Sequence, residues 1–445
     1  MEKFDVVVVG GGAGGLATAL TLRSLKSDLK VLVLRRTKAQ PIPCSVPYII
    51  ETIGAVEGCL IPDALLTGSG AELVVDEVVE IDRKRKVVKT ASGREYGYGK
   101  LVLATGTRPA RLGIPGEDLE GVVHVQKEYE QLVKAYNILK NAKRIVIVGA
   151  GFVGIEFVDD LATGREVHVV EVLDEALPLA FDREFGEIAR RKLEEKGVKF
   201  HLKARVKEIS GRGRVEKVVL DTGEEIAADA VLISIGVTPN TEVARKAGLA
   251  VDEAGHLIVD SFMRTSDPDI YAVGDIAQKR DFFAGRPTRA YFSTLAVAEG
   301  RIAAMHIAGL APSKGVEGVL PAYSTVVSGT VLAAAGLTES QAKERGLSTV
   351  SATVESVNRH PGNLPGAARV KLKAMFTSSD LRLIGVQIAG PESVGEMINY
   401  AAAAIQSGLT AYDIVKLQLA TQPLITASPL TYPLQLAALR VIRSQ

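Results

Sequence analysis

The chain has 445 residues, 47% of them apolar, which is material for about three ordinary domains with their own cores. Its 53 Lys and Arg against 52 Asp and Glu give a net charge of +1, without the basic stripe that a nucleic-acid partner requires. Two cysteines, Cys44 and Cys59, and no tryptophan argue against a disulfide framework or a multi-cysteine metal site, so no metal is expected.

No apolar run reaches transmembrane length, and the first strand begins within a few residues of Met1. A cytoplasmic protein with no membrane partner and no signal peptide is therefore expected. The run Asp5-Val-Val-Val-Val-Gly10 reads as a buried parallel strand, and Gly10, Gly12 and Gly15 then turn the chain into a helix. Such a turn aims the helix N-terminal amides at the pyrophosphate of a dinucleotide. About twenty residues beyond such a turn an acid accepts hydrogen bonds from the ribose, yet Val31-Leu-Val-Leu-Arg35 ends in arginine. Arg35 is expected to bind the adenosine part from another direction.

The proline-rich turn Gln40-Pro-Ile-Pro43 delivers Cys44 just before an apolar helical stretch, Ser45 to Ile50. Amides at that helix start would favour a thiolate. Cys59 is spaced as neither CxxC nor CxxxxC from Cys44 and reads as structural. A further buried strand, Lys100 to Ala104, ends in the tight turn Thr105-Gly106.

The fingerprint then recurs in Arg144-Ile-Val-Ile-Val-Gly149-Ala-Gly151-Phe-Val-Gly154. Here Val167-His-Val-Val-Glu171 does supply the acid, and Val172 and Leu173 follow with no Lys or Arg, which favours NAD(H) over NADP(H). The second unit closes with the strand Ala230 to Gly236. Asp269-Ile-Tyr-Ala-Val-Gly274-Asp275 again ends a strand in glycine, with a carboxylate suited to a ribitol phosphate region. Its likeness to the close of the first unit predicts that the second domain is inserted into the first. Beyond Pro321 alternating strands mix with helices such as Val394 to Ser407, an α+β tail with no fingerprint of its own. The expected architecture is α/β: a Rossmann-like domain of residues 1–113 and 241–320, a second of 114–240, and a tail of 321–445.

The two fingerprints, the Thr105-Gly106 turn, the Gly274-Asp275 strand end and the early Cys44 together resemble the pyridine nucleotide-disulfide oxidoreductases. The likeness is to their single-cysteine branch of coenzyme A-disulfide reductases, NADH peroxidases and oxidases, and persulfide reductases. That resemblance implies FAD in the first domain, NADH in the second, a homodimer formed through the tail, and Cys44 as the redox thiolate beside the flavin. It also implies Phe152 as an aromatic gate over the flavin and Glu156 as a contact to the nicotinamide amide. Arg23 matches one of an arginine pair near the phosphates of coenzyme A, a possible ligand, while Ser24 replaces the other.

Departures from the family pattern choose among branches. Ala13 stands where peroxidases and oxidases carry a histidine. The last histidine is His360, so the C-terminal His-Glu pair of the dithiol reductases is missing. The tyrosines expected over the cysteine are absent from Asn358 to Pro365 and replaced by Thr421. Reduction of a small-molecule persulfide or polysulfide is the expected activity. Coenzyme A-disulfide reductase or NADH oxidase is the alternative, and an electron-transfer flavoprotein serving a protein partner is the reading from a different class. Tyr412 and Tyr432 read as core or interface aromatics and His360 as a loop residue.

Overall fold

The computed structural model describes residues 1–444, which form two compact units. The first gathers Met1–Leu112, Val123–Asn141 and Ile235–Val319; the second gathers Gly113–Val122, Ala142–Ser234 and the chain from Leu320 onward.

The first unit is built on a sheet whose parallel strands run Glu72–Val75, Val31–Arg35, Glu2–Val9, Glu95–Leu103 and Ile270–Ala272. Val6 to Val9 register against Val31 to Leu34 on one side and Lys100 to Leu103 on the other. These apolar, largely β-branched runs are buried on both faces, as strands of a helix-covered parallel sheet are. Antiparallel strands Val78–Asp82 and Val87–Thr90 extend the sheet at the Glu95–Leu103 side. The helices Ala13–Leu25 and Ser293–Ile307 pack together closely, and glycine is what allows it: a Cβ on Gly300 would stand 2.5 Å from the Gly14 carbonyl oxygen.

Residues 123–141, expected in the second domain, group with the first. Tyr129 Oη donates to Glu57, Tyr136 Oη to the Gly54 carbonyl, and Lys140 Nζ to the Ile50 carbonyl and to Glu51, so the Tyr129–Asn141 helix is pinned onto the segment that follows Cys44.

In the second unit, parallel strands run in the order Ala230–Ile233, Arg144–Val148, Glu166–Glu171 and Lys199–Leu202. The tail contributes an antiparallel sheet in the order Ala322–Val327, Thr330–Gly336, Leu383–Gly390, Arg369–Thr377 and Thr349–Val357, covered by helices Val394–Gln406 and Pro433–Arg443. A buried ammonium ties the two parts of this unit. Lys373 Nζ meets Asp182 at 2.9 Å, Glu184 at 3.1 Å and Glu339 at 3.0 Å. Burial works against its charge, but the three carboxylates outweigh burial and raise its pKa. Among the described residues no helix is long and apolar enough to cross a membrane.

Candidate active site

Both glycine turns share one steric logic. Gly10 leaves its strand at φ +119°, and its N–H donates to the Leu34 carbonyl at 2.8 Å. A Cβ on Gly10 would stand 2.1 Å from Ala104 O and one on Gly15 2.0 Å from Gly10 O, whereas one on Gly12 would meet nothing within 4 Å. The outer glycines close the strand-to-helix packing, and the middle one leaves an open cradle. Gly149, Gly154 and Gly151 repeat this: the first two Cβ positions fall 2.8 Å from Ser234 O and 2.1 Å from Gly149 O, and the third is open. Neither Ala13–Leu25 nor Phe152–Leu161 has a side-chain cap or an acid in its first turn. The leading N–H groups and the positive dipole end therefore face the cradle, which fits a pyrophosphate in each unit.

The ribose positions differ. Glu171 is buried, and its oxygens accept from Ala150 N–H at 2.7 Å and Leu173 N–H at 2.9 Å. Those bonds hold the carboxylate beside the second glycine turn and leave lone pairs for a ribose diol. The adjoining Val172 and Leu173 are exposed and apolar, with no cation for a 2′-phosphate. The double substitution Glu171→Ala, Val172→Arg is expected to shift the NADH-to-NADPH ratio of kcat/KM toward NADPH by roughly a hundredfold. Steady-state kinetics with both nucleotides measures this, and an unchanged ratio removes Glu171 from the ribose site.

Two arginines have other occupations than those expected. Arg35 is buried, with Nη1 and Nη2 on the two oxygens of Asp63 at 2.5 and 2.7 Å, Nε on Thr37 O at 2.8 Å and Nη2 also on Lys38 O at 2.6 Å. A guanidinium held on four acceptors is a bracket in the fold, not a mobile clamp for adenosine. Arg23 lies in the last turn of its helix, where Nε donates to Ser69 O and Nη1 to Ser27 O and Leu29 O. It satisfies carbonyls around the end of that helix, a structural role at the position expected to meet coenzyme A phosphates.

The remaining first-unit residues converge on the strand ends. Gly106, at φ +64°, accepts from Asn240 N–H, and Thr105 and Asn240 exchange two further bonds of 2.6 and 3.0 Å. Gly236, at φ +110°, faces open space and accepts from Ala110 N–H. Asp275 accepts from Lys127 Nζ at 2.9 Å and Thr107 Oγ1 at 3.1 Å.

Gly274, at φ +74°, is gripped on both sides of its backbone: its N–H donates to Glu299 at 2.8 Å and its carbonyl accepts from Lys279 at 2.7 Å. Burial pushes the Glu299 carboxyl up, against the pull of Lys279 and the Gly274 N–H. Neither Glu299, Lys279 nor Lys127 was legible as a site residue, because each lies outside any motif.

The stretch expected as a helix after Cys44 is a six-residue 3-10 turn, Pro43–Tyr48, and Cys44 is its second residue. Pro47 within it removes an amide donor and bars a longer α-helix. Cys44 is exposed, and its Sγ lies 3.1 Å from Ser293 Oγ at the start of the 15-residue Ser293–Ile307 helix. Cys59 is buried, its thiol donating to Val56 O at 3.0 Å and pushed up in pKa by burial.

In the second unit Phe152 stacks on Tyr323, with ring centroids 4.8 Å apart and planes at 15°. Burial pushes the Tyr323 phenol up to about 12. Glu156 accepts from Thr325 Oγ1 at 2.9 Å. Both residues thus have tail partners inside their own unit. His360 Nδ1 lies 3.0 Å from Thr426 O, Tyr432 packs edge-on to Tyr400, and Tyr412 is exposed. Among the described residues no group of three or more His, Cys, Asp or Glu could hold a metal ion.

Two cradles in one chain, with one exposed thiol in the first unit, define a dinucleotide-dependent redox protein. The chain belongs to the pyridine nucleotide-disulphide oxidoreductases: the family model matches residues 4–308, and that of the family's dimerisation domain matches residues 323–431. It is 31% identical over 443 residues to an NADH oxidase of Methanocaldococcus jannaschii, covering 97% of each chain. It is likewise 31% identical over 428 residues to the NAD(P)H coenzyme A polysulfide/persulfide reductase of Pyrococcus horikoshii, covering 95% of each. Among solved structures it matches an NAD-dependent persulfide reductase from A. fulgidus with a TM-score of 0.90 and 32% identity, over 99% of this chain and 83% of that one.

Proposed function

We propose that this oxidoreductase uses NADH to reduce a persulfide or polysulfide, such as coenzyme A persulfide, at Cys44. The observation that carries the reading is that Cys44 is the chain's single exposed thiol, while Cys59 is buried and hydrogen-bonded. A one-thiol site cannot close an internal disulfide, so its oxidised form carries sulfur from the substrate, an external thiol or, with oxygen or peroxide as acceptor, a sulfenic oxygen.

FAD fits the first cradle, at Gly10, Gly12 and Gly15 with Thr105, Gly106, Gly274 and Asp275. NADH fits the second, at Gly149, Gly151, Gly154 and Glu171. When bound, the flavin takes a hydride equivalent from NADH and makes an electron pair available to sulfur. Phe152 and Glu156, at the start of the second-cradle helix, are proposed to line the nicotinamide position. The dimerisation domain supports a homodimer.

The Cys44 thiolate attacks the sulfane sulfur of RS–SH, forming a Cys44 S–S bond and releasing RS⁻. Two electrons from NADH then break that S–S bond, releasing HS⁻ and restoring the thiolate. A thiolate and hydrosulfide are good leaving groups, so little acid catalysis is needed. That agrees with Ala13 in the first glycine turn, and with a 358–365 segment whose one histidine is tied to Thr426 O.

Anaerobic NADH oxidation with coenzyme A persulfide, polysulfide and coenzyme A disulfide tests the proposal. The first two are expected to exceed the disulfide in kcat/KM. A disulfide rate about tenfold above both assigns the enzyme to disulfide reduction, and turnover with oxygen alone at a comparable rate assigns it to NADH oxidation.

A further inference from the structure

Arg35 stands where the dinucleotide fold places a ribose-binding acid, and a guanidinium has no acceptor to offer a ribose hydroxyl. Yet its side chain ends on a carboxylate contributed from 28 residues further along the chain. We propose that Asp63 is the acceptor for the adenosine ribose of FAD in this chain, brought to the end of the Val31–Arg35 strand by Arg35. The inference rests on the reading of the first cradle as the FAD site.

Three features support it. Arg35 is a rigid bracket: only 6% exposed, it is fixed through Nε and Nη2 to the Thr37 and Lys38 carbonyls and through both Nη atoms to Asp63. Its stem passes beside the glycine turn, since a Cβ on Gly11 would stand 3.1 Å from Arg35 Cδ. Finally, Gly11, Arg35, Gln40 and Asp63 border one small cavity, which places the relocated carboxylate close to a residue of the first glycine turn.

The geometry and charge of the pair are suited to this role. Each Asp63 oxygen accepts one guanidinium bond, and each keeps a further lone pair for a hydroxyl. The Asp63 side chain is 47% exposed, whereas Arg35 is enclosed, so the accepting edge faces outward and the cation does not. A bare arginine here would attract a 2′-phosphate. The pair presents acceptors instead, which selects an adenosine ribose with both hydroxyls free, as in FAD.

Holoenzyme carrying Asp63→Asn tests this, with FAD release followed by the rise in flavin fluorescence after dilution. The variant is expected to release FAD about tenfold faster than the unaltered protein. Its melting temperature in saturating FAD should stay within about 2 °C, because the amide oxygen still accepts one guanidinium N–H at this half-exposed position and the Thr37 and Lys38 bonds remain. Moving the acid back to the strand end, in Arg35→Glu with Asp63→Asn, is expected to bring release to within about threefold of the unaltered rate.

Release unchanged by Asp63→Asn overturns the proposal. So does a double variant that holds FAD no better than the single one, or a melting point that falls in step with the faster release. If the unaltered protein neither carries nor binds FAD, the first-cradle reading itself fails, and that outcome is distinct from the others.

Discussion

Cys44→Ser is expected to lower sulfide release from coenzyme A persulfide by about a thousandfold or more, while NADH-dependent reduction of an artificial dye stays within about threefold. A serine hydroxyl is barely ionised at neutral pH and is a far poorer nucleophile toward sulfur than a thiolate, so the first S–S exchange stops. Dye reduction does not pass through that exchange and needs only the two cradles. The substitution is small and the site exposed, so folding should be unaffected. Sulfide release is read by a colorimetric assay under anaerobic conditions beside the dye assay on the same preparation. Retention of full sulfur turnover would assign the chain to electron carriers that hand electrons onward without a thiol. Loss of both activities would point to damage at the cofactor cradle instead. Cys59→Ala is the matched control: its thiol is buried and hydrogen-bonded within the fold, so turnover should persist.

What the sequence could reveal follows from the range over which each signal acts. The two glycine turns were legible because their demands are local: positive φ at Gly10 and Gly149 and van der Waals exclusion at Gly15 and Gly154 are written in consecutive residues. The parallel strands were legible for the same reason, since burial on both faces requires unbroken apolar runs. Glu171 was readable from its spacing to the turn, and its bond to Ala150 N–H is the contact that gives that spacing its meaning.

Features made by distant segments were not readable. The pairing of Arg35 with Asp63 and the contact of Cys44 with Ser293, 249 positions away, depend on how loops close over the sheet, and no local pattern encodes that closure. The Tyr129–Asn141 helix has an amphipathic pattern that fits either unit, and four hydrogen bonds to the segment after Cys44 decide its place. The helical stretch expected after Cys44 is present as a 3-10 helix that begins earlier, at Pro43, so that Pro47 falls inside it.

Removing one member of the buried Lys279–Glu299 pair is expected to destabilise the protein by about 3–5 kcal/mol and to release FAD, the largest stability effect predicted for a single substitution. The two side chains are only 4% and 1% exposed, with Nζ 2.7 Å from Oε1. Lys279→Met leaves a carboxylate in a low-dielectric interior without its cation, and Glu299→Met leaves the ammonium in the same condition. Each also frees one side of the Gly274 peptide, whose left-handed φ holds the turn that presents Asp275. In the double variant Lys279→Met, Glu299→Met no charge is stranded, so most of that loss should return. A residue of about 1–3 kcal/mol should remain, because the Gly274 N–H and carbonyl have lost their partners. Chemical denaturation of all four proteins gives the coupling energy, which should be large for groups in direct contact. Flavin content on purification gives the second readout, and it should stay low in the double variant even as stability recovers, since restored charge balance does not restore the grip on Gly274. If the two single losses simply add in the double variant, the pair is two independent contacts and the turn is held by other means.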